Sequence, residues 1–500
     1  MSNARLLPLA VLVALIGTSL PALPAQAGLS EALPTPPQMP LSVSPEAAGW
    51  KTAVIGDVKD FLPAAPPVWG TPAAKAEMAE IVDWQKRRSA DDLKAISYWN
   101  DVPPPLRWSE EVRAEIITAS MVPPRGARAL ALVHAAMYDA TVVTWKAKAL
   151  HHRPLPAQVN PFLKPVAGEP GIPSYPSEHA AISMAAAMTL AELFPDHKEA
   201  LLKKARLVGE TRVAAGAAFR SDIEAGFAIG EKVAKAVLAA RGDDGANRPN
   251  PPVAKLPGKW WVEAPMESGA GQWRTWMLKN GQQFRMHYDW QHDMKNPTFA
   301  KAYREVDAIH DTLTPHQIER AIFWNFDVPA ILWNDIARRA VLTKKKPIKP
   351  DSMGIIWSDI ARRAIANQVM DTPHAARMLN VLHMTLADAF IACWDTKYAN
   401  RVPRPIMVAP AGKSLRTVVP TPPHPSWPSG HATASMAASV VLRQYFPQEA
   451  KAFEAQAREA AMSRLWGGIH FRKDNDDGLK LGERIGKHCV SEAKAKGWLP

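Results

Sequence analysis

Three short groups of charged and polar residues between positions 397 and 470 of the 500-residue chain have the types and spacing needed to hold one small oxyanion. Two arginines and a lysine supply positive charge, because arginine offers a planar fork for two oxygens and lysine acts as a point charge. A glycine lets a backbone N–H approach an anion closely, and a neighbouring serine hydroxyl can donate beside it. The predicted oxyanion-binding residues are Lys397, Arg404, Ser429, Gly430 and Arg464.

Two histidines in the same groups could carry out the chemistry on such an anion. His431 and His470 can divide the roles of nucleophile or ligand and of general acid-base, because imidazole titrates near neutrality. Asp474 follows His470 by four residues, so a helix there would place its carboxylate on the same face. The carboxylate would accept the Nδ1 proton of His470 and leave Nε2 as the free electron pair. We therefore predict His431, His470 and Asp474 as catalytic residues.

The order and spacing of these groups resemble a known signature. Lys-x6-Arg-Pro, then Pro-Ser-Gly-His, then Ser-Arg-x5-His is similar to the type 2 phosphatidic acid phosphatase and vanadium-dependent haloperoxidase superfamily. The resemblance implies that the five oxyanion-binding residues hold the equatorial oxygens of vanadate, that His470 binds vanadium axially, and that His431 contacts the apical oxygen. In the phosphatase members, which need no cofactor, the residue at His470 would attack phosphorus and His431 would protonate the leaving oxygen.

Two further residues favour oxidation of a halide by hydrogen peroxide over hydrolysis of a phosphomonoester. Trp394 lies where chloroperoxidases of this type carry a halide-pocket tryptophan, and His424 matches the extra histidine of the bromoperoxidases. Helix packing and a loop between prolines are the alternative explanations of these two residues. The predicted function is a vanadate-dependent haloperoxidase. A non-specific acid phosphatase and a catalytically silent helical binding protein of the cell envelope are the alternatives.

Composition and the N-terminal residues predict an exported protein that acts on small molecules. Arg5, the apolar stretch 6–20 and the run 25–27 (Ala-Gln-Ala) have the pattern of an export signal, so we expect a periplasmic or secreted chain. No later apolar run reaches 18 residues, so the mature chain should not span a membrane. The formal net charge is +12, but no basic cluster is interleaved with aromatics, which argues against nucleic acid as a partner. Peroxide and a halide, or a phosphoester, are the expected partners, and the sequence carries no signal of oligomeric state.

The chain contains its catalytic region twice. Pro176-Ser177-Glu178-His179 aligns with Pro428-Ser429-Gly430-His431 at an offset of 431 − 179 = 252, and upstream segments align at an offset of 249. The first copy has Ala218 where the second has His470, and a glutamate where the second has Gly430. It therefore reads as a structural half without a working site. The alternative is that it binds a different ligand through Lys148, Arg153, His179 and Arg212.

Helical periodicity throughout both copies predicts an all-α protein of two related helical bundles. The resemblance implies that these bundles are of the vanadium haloperoxidase and acid phosphatase type. Ser177 and Ser429 precede long apolar runs and are predicted N-caps. Two cysteines, Cys393 and Cys489, are too few for a disulfide framework, and either one bridge or two buried thiols would fit. The predicted divisions are a signal peptide (1–27), a Pro/Ala-rich arm and first helix (28–95), a degenerate N-terminal bundle (96–245), a Trp/Pro-rich connecting segment (246–318) and a catalytic C-terminal bundle (319–500).

Overall fold

The computed structural model describes residues 38–39, 41–290, 293–326, 329–342 and 370–499, and regular structure in them is helical throughout. The predicted all-α class is therefore confirmed, while the predicted signal peptide lies outside the described residues. The α-helices are α1 (Pro72–Arg87), α2 (Ala90–Asn100), α3 (Pro104–Thr118), α4 (Pro123–His151), α5 (Pro156–Val159), α6 (Glu178–Leu193), α7 (Lys198–Ala214), α8 (Arg220–Arg241), α9 (Pro297–Thr312), α10 (Pro315–Phe326), α11 (Pro329–Leu342), α12 (Thr372–Asn400), α13 (Gly430–Tyr445), α14 (Ala450–Trp466) and α15 (Arg472–Ala495). Short 3-10 helices are Pro45–Gly49, Val58–Phe61, Pro195–His197, Ala270–Gln272, Pro405–Val408 and Pro447–Glu449.

Two helical bundles with the same order of elements make up the two halves. In the first, α6 packs against α4, α7 and α8, and in the second α13 packs against α12, α14 and α15. Helices α4 and α12 both have 29 residues, α6 and α13 both have 16, and α7 and α14 both have 17. This agreement follows the alignment of the two copies, and the origin of the halves by duplication stays a prediction.

The long helices α4 and α12 join the two bundles at the centre of the molecule. They pack against each other, and one apolar core continues through both halves. His134 of α4 and His383 of α12 stack there with ring centroids 4.3 Å apart and planes at 17°. These two histidines occupy equivalent positions in the repeat, so the contact lies where a pseudo-twofold axis would pass.

Local sequence explains where the helices at the heart of each bundle begin. Ser177 and Ser429 are the N-caps of α6 and α13, as predicted, and their hydroxyl oxygens accept from Ala180 N at 3.3 Å and Ala432 N at 3.4 Å. Glycine allows the last helix of each half to approach these starts, because a Cβ at Gly478 would stand 2.8 Å from the carbonyl oxygen of Ser429. The start of α13 is therefore fixed from two sides.

A buried aspartate in each central helix holds a segment that crosses its surface. The carboxylate of Asp388 accepts from the backbone N–H groups of Trp276, Met277 and Leu278 at 2.7–2.9 Å. Asp139, its equivalent in α4, accepts from the N–H groups of residues 53–55 at 2.5–3.0 Å. Burial raises the pKa of both carboxyls to about 6, although the N–H donors oppose that shift.

The connecting segment packs against both halves, and two predicted boundaries need correction. Arg125 of α4 forms an ion pair with Glu267 of this segment at 2.5 Å, and Trp260 N donates to Arg401 O at 2.7 Å. The predicted boundaries after residues 95 and 318 fall inside α2 and α10. Helices α9 and α10 pack against α14, so they are part of the C-terminal half. Cys393 and Cys489 are both free, buried thiols. Among the described residues, the helices lack the length and apolar character of a membrane span.

Candidate active site

The predicted site surrounds the N-terminus of α13 in the C-terminal half. A cavity of about 380 Å³ lies there, and its lining includes Gly430 and His431 from α13 and His470 from the loop before α15. The loop between α12 and α13 adds His424, and α12 itself adds Trp394. All ten residues predicted from the sequence line this cavity or contact one another directly behind its wall, while their chemical roles stay predictions.

His470 is held between a carboxylate and a guanidinium. Its Nδ1 lies 3.0 Å from Asp474 Oδ2, and its Nε2 lies 3.0 Å from Arg404 Nη1. Burial and the nearby cations lower the pKa of His470 well below its usual value, so the ring is neutral. With the Nδ1 proton donated to Asp474, the lone pair at Nε2 accepts from Arg404, and it is the atom that a ligand could take.

The predicted helical geometry for this pair is wrong, although the predicted contact forms. Helix α15 begins only at Arg472, so His470 precedes the helix. Asp474 reaches back because its Oδ2 accepts from Phe471 N at 3.0 Å at the helix start. Ser426 was not predicted; its hydroxyl donates to the same carboxylate oxygen at 2.5 Å. Nothing in its sequence context, between two prolines, distinguishes it from a loop serine.

Three fully buried basic side chains lie around His470 and Asp474. Lys397 donates to the carbonyl oxygens of Pro425 and Ser426 at 2.7 and 2.8 Å, and Arg404 donates to those of His424 and Ile469 at 3.0 and 2.7 Å. Desolvation lowers the pKa of Lys397, and it lowers that of Arg404 to about 10 and that of Arg464 to about 9. Removal of three charges from water is unfavourable without a counterion, and within the described residues Asp474 is the carboxylate that contacts this cluster.

Helix α10 closes one side of the site, which the sequence did not indicate. The carbonyl oxygen of Trp324 lies 2.8 Å from His431 Nε2 and 3.2 Å from Arg464 Nη1. Asn325 Oδ1 accepts from Arg464 Nη2 at 2.9 Å. His431 Nε2 also lies 3.1 Å from Arg464 Nη1, so its tautomer decides whether it donates to the carbonyl or accepts from the arginine. Burial and Arg464 lower the pKa of His431 well below its usual value, and the ring is therefore neutral.

The two proposed halide-pocket residues lie together in the cavity. The rings of Trp394 and His424 are 4.9 Å apart, and His424 Nδ1 lies 3.0 Å from Arg404 Nη2. The opposite wall comes from the N-terminal half, where Ile116 and Met121 reach the cavity. That wall was missed because it depends on how the two bundles pack, which no local pattern records.

The donor set fits a small oxyanion with two or more negative charges. Arg464 Nε is buried and has no hydrogen-bond partner, so a donor is available. Gly430 opens the first turn of α13, whose N–H groups have no partner within the helix, and a Cβ there would stand 3.3 Å from the Trp394 ring. Lys397, Arg404 and Arg464 are the residues that would hold the anion, and His470 and His431 are the histidines that could contact it.

Fold and site together define a class: a two-bundle helical protein with a buried cation and histidine cluster at one helix N-terminus. Two family models match, "PAP2 superfamily" over residues 127–245 and "VCPO second helical-bundle domain" over residues 447–496. The resemblance drawn from the motifs is thereby confirmed at the level of this superfamily of haloperoxidases and phosphatases.

Two curated relatives match a short part of the chain. An acid phosphatase of Zymomonas mobilis is 43% identical over 54 residues, and a non-specific acid phosphatase of Providencia stuartii is 40% identical over 52 residues. The matches cover 11% and 10% of this chain, and the chain spans about a fifth of the length of these relatives, 20% and 21%.

The structural similarities extend further along the chain. A structure described as the first bacterial vanadium-dependent iodoperoxidase has a TM-score of 0.60 at 22% identity, covering 78% of this chain and 97% of its own. An apo-type bacterial vanadium-dependent chloroperoxidase has a TM-score of 0.51 at 16% identity, covering 75% and 95%. These structures therefore share the fold over about three quarters of this chain.

Proposed function

We propose that this chain is an exported, vanadate-dependent haloperoxidase that oxidises a halide with hydrogen peroxide in the cavity of its C-terminal half. The observation that carries the proposal is that two neutral histidines line one cavity while three buried basic residues lie behind its wall, where Arg404 contacts His470, Arg464 contacts His431 and Lys397 lies 5.8 Å from the Trp394 ring. The predicted signal sequence supports export, since a cleavable leader of this pattern directs a chain out of the cytoplasm.

The residues would bind and orient the cofactor by charge. Lys397, Arg404 and Arg464 would exchange their present partners, mostly backbone carbonyls, for the oxygens of the anion, which restores charge balance in a buried site. His470 would offer its Nε2 lone pair, because Asp474 keeps the proton on Nδ1. When bound, vanadate supplies a Lewis-acidic centre that activates peroxide without a change in its own oxidation state.

His431 is suited to accept a proton. Its lowered pKa keeps the ring neutral at neutral pH, so a ring nitrogen can take the proton that hydrogen peroxide must lose. Phe390 and Trp394 line the same cavity and would exclude water from the reacting oxygens.

A second candidate is a non-specific acid phosphatase, favoured by the two curated acid phosphatases that match part of the chain. In that reaction His470 Nε2 would attack phosphorus, the ester bond to the alcohol oxygen would break, and His431 in its protonated form would supply the proton to that oxygen. Water would then hydrolyse the phosphohistidine and release inorganic phosphate. The same cations would stabilise the charge on the phosphoryl oxygens.

One pair of assays separates the candidates. Purified protein without vanadate is tested for hydrolysis of p-nitrophenyl phosphate, and then for bromination and iodination of a phenol dye with peroxide, each with and without added vanadate. We expect vanadate to switch on halogenation. Phosphatase activity that vanadate inhibits, without any halogenation, would support the second candidate. The absence of both activities together with no vanadate binding would support a silent binding protein.

A further inference from the structure

The N-terminal half contains a second cavity at the position equivalent to the candidate active site. It has a volume of about 370 Å³, and its lining includes Lys148, Ser177, Glu178, His179 and Arg212. A volume of this size suits a small organic molecule. The cavity has therefore not been filled by packing, although the first copy has lost the histidine equivalent to His470.

One member of the predicted alternative ligand set is engaged elsewhere. Arg153 donates to Asp222 Oδ1 at 2.6 Å and to Glu77 Oε2 at 2.9 Å, and it does not line the cavity. Because Ala218 replaces the imidazole, Asp222 has no histidine to bind and pairs with the arginine instead. Two basic residues, Lys148 and Arg212, remain at the cavity.

Polar atoms in this cavity lack partners although they are buried. His179 is 7% exposed, and neither of its ring nitrogens has a hydrogen-bond partner. Glu178 Oε1 lies 3.8 Å from His179 Nδ1, which is beyond hydrogen-bonding distance. Glu178 Oε2 and Arg212 Nε are also buried and unpartnered. The equivalent His431 has partners at 2.8 and 3.1 Å, so the isolation of His179 is particular to this half. Buried polar atoms without partners are unfavourable, and a ligand would satisfy them.

Charge decides which class of ligand fits. Lys148 and Arg212 bring two positive charges, and Glu178 brings one negative charge when it is ionised, because burial raises the pKa of its carboxyl to about 7; Glu169 and Asp101 are exposed at the rim. With Glu178 ionised, one anionic group of a single charge makes the inner site neutral. A dianion such as phosphate would be repelled by the carboxylate of Glu178, which occupies the position that Gly430 has in the other half.

Shape and polarity add an apolar tail to that anionic group. Ile96, Leu155, Ile172 and Ala217 line the cavity beside the charged residues. Ala218 presents only a methyl group where an imidazole stands in the other half, which leaves room next to them. We propose that the cavity of the N-terminal half binds a small organic monocarboxylate, with its carboxylate at Arg212, His179 and Lys148 and its apolar part against Ala218.

The proposal is tested with benzoate as the probe and the full-length protein. Isothermal titration calorimetry at pH 7 compares the wild type with Arg212→Gln and with Arg464→Gln, the matched change in the other half. We expect benzoate affinity to fall at least tenfold in Arg212→Gln and to stay within twofold of the wild type in Arg464→Gln. Benzyl alcohol, which has the ring without the charge, should not bind to the wild type. Phosphate should not displace benzoate from the wild type or from Arg464→Gln.

A second variant keeps the test valid if Arg212→Gln does not fold. Ala218→Leu retains every charged group and fills the apolar end, and we expect it to weaken benzoate binding as strongly. The proposal is overturned if benzoate gives no binding, if it binds Ala218→Leu as well as the wild type, or if binding is lost only in Arg464→Gln. Displacement of benzoate by phosphate, or tighter binding of the zwitterion phenylalanine, would also overturn the assignment to a monocarboxylate.

Discussion

Replacement of His470 by alanine tests the proposed ligand atom and its surroundings together. The imidazole contacts Arg404 Nη1 and Asp474 Oδ2, both at 3.0 Å. In His470→Ala these two charged groups lose their shared partner and become free to pair with each other. The N-terminal half shows this arrangement, because Arg153 and Asp222 pair at 2.6 Å beside Ala218. We therefore expect the variant to fold.

The size of the effect should differ between stability and binding. The new ion pair replaces most of what the imidazole contributed, so the free energy of unfolding should fall by only about 1–2 kcal/mol. Vanadate would lose its bond to Nε2 and also its contact with Arg404, which pairs with Asp474 in the variant. Each interaction contributes about 1.5–3 kcal/mol, so the affinity should fall roughly 10²–10⁴-fold. Phosphate would lose only the arginine, about 10–100-fold. The preference for vanadate over phosphate should thus fall at least about tenfold.

Equilibrium dialysis with vanadium measured by mass spectrometry gives the vanadate affinity, and competition gives the phosphate affinity. Circular dichroism and thermal unfolding establish that the variant is folded. Ala218→His, the reverse change in the other half, is the matched control and should leave the C-terminal site unaltered. If folded His470→Ala holds vanadate within threefold of the wild type, the ligand assignment is refuted.

Other substitutions test other parts of the molecule. In Gly430→Ala the added Cβ stands 3.3 Å from the Trp394 ring, so oxyanion affinity should fall about tenfold with little change in the thermal midpoint, as dialysis and melting would show. Burial lowers the pKa of Lys397 to about 7, whereas a bound dianion favours the ammonium form. Phosphate binding at pH 8 should therefore take up a proton, and affinity should fall as pH rises from 7 to 9. Calorimetry in two buffers should show less uptake in Lys397→Gln, and equal uptake would contradict this. Asp388→Asn replaces a carboxylate that accepts from three N–H groups, so the free energy of unfolding should fall by about 2–4 kcal/mol. Asp139→Asn should give a similar loss. A change below about 0.5 kcal/mol in urea unfolding would refute the role of these aspartates.

The fold was largely predictable because its signals are local. Periodic apolar residues and the serines at 177 and 429 are read along one helix at a time, and the structure confirms both the helices and the caps. The two boundaries that fell inside α2 and α10 were misplaced because a change in composition does not record which bundle a helix packs against. Helix α10 belongs with α14 through tertiary contact alone.

The identities of the ten predicted site residues came from the sequence alone, since residue type and spacing limit which side chains can share an anion. Apart from the contact between His470 and Asp474, only the tertiary structure decided what each one contacts. It placed backbone carbonyls of residues 424–426 on Lys397 and Arg404, the end of α10 on His431 and Arg464, and Ile116 of the other half across the cavity. Backbone carbonyls carry no residue-specific signal, and contacts between bundles depend on packing over hundreds of residues. Sequence therefore fixes the chemistry available to this protein, whereas packing fixes which of those groups are occupied and which, like His179, are left without a partner.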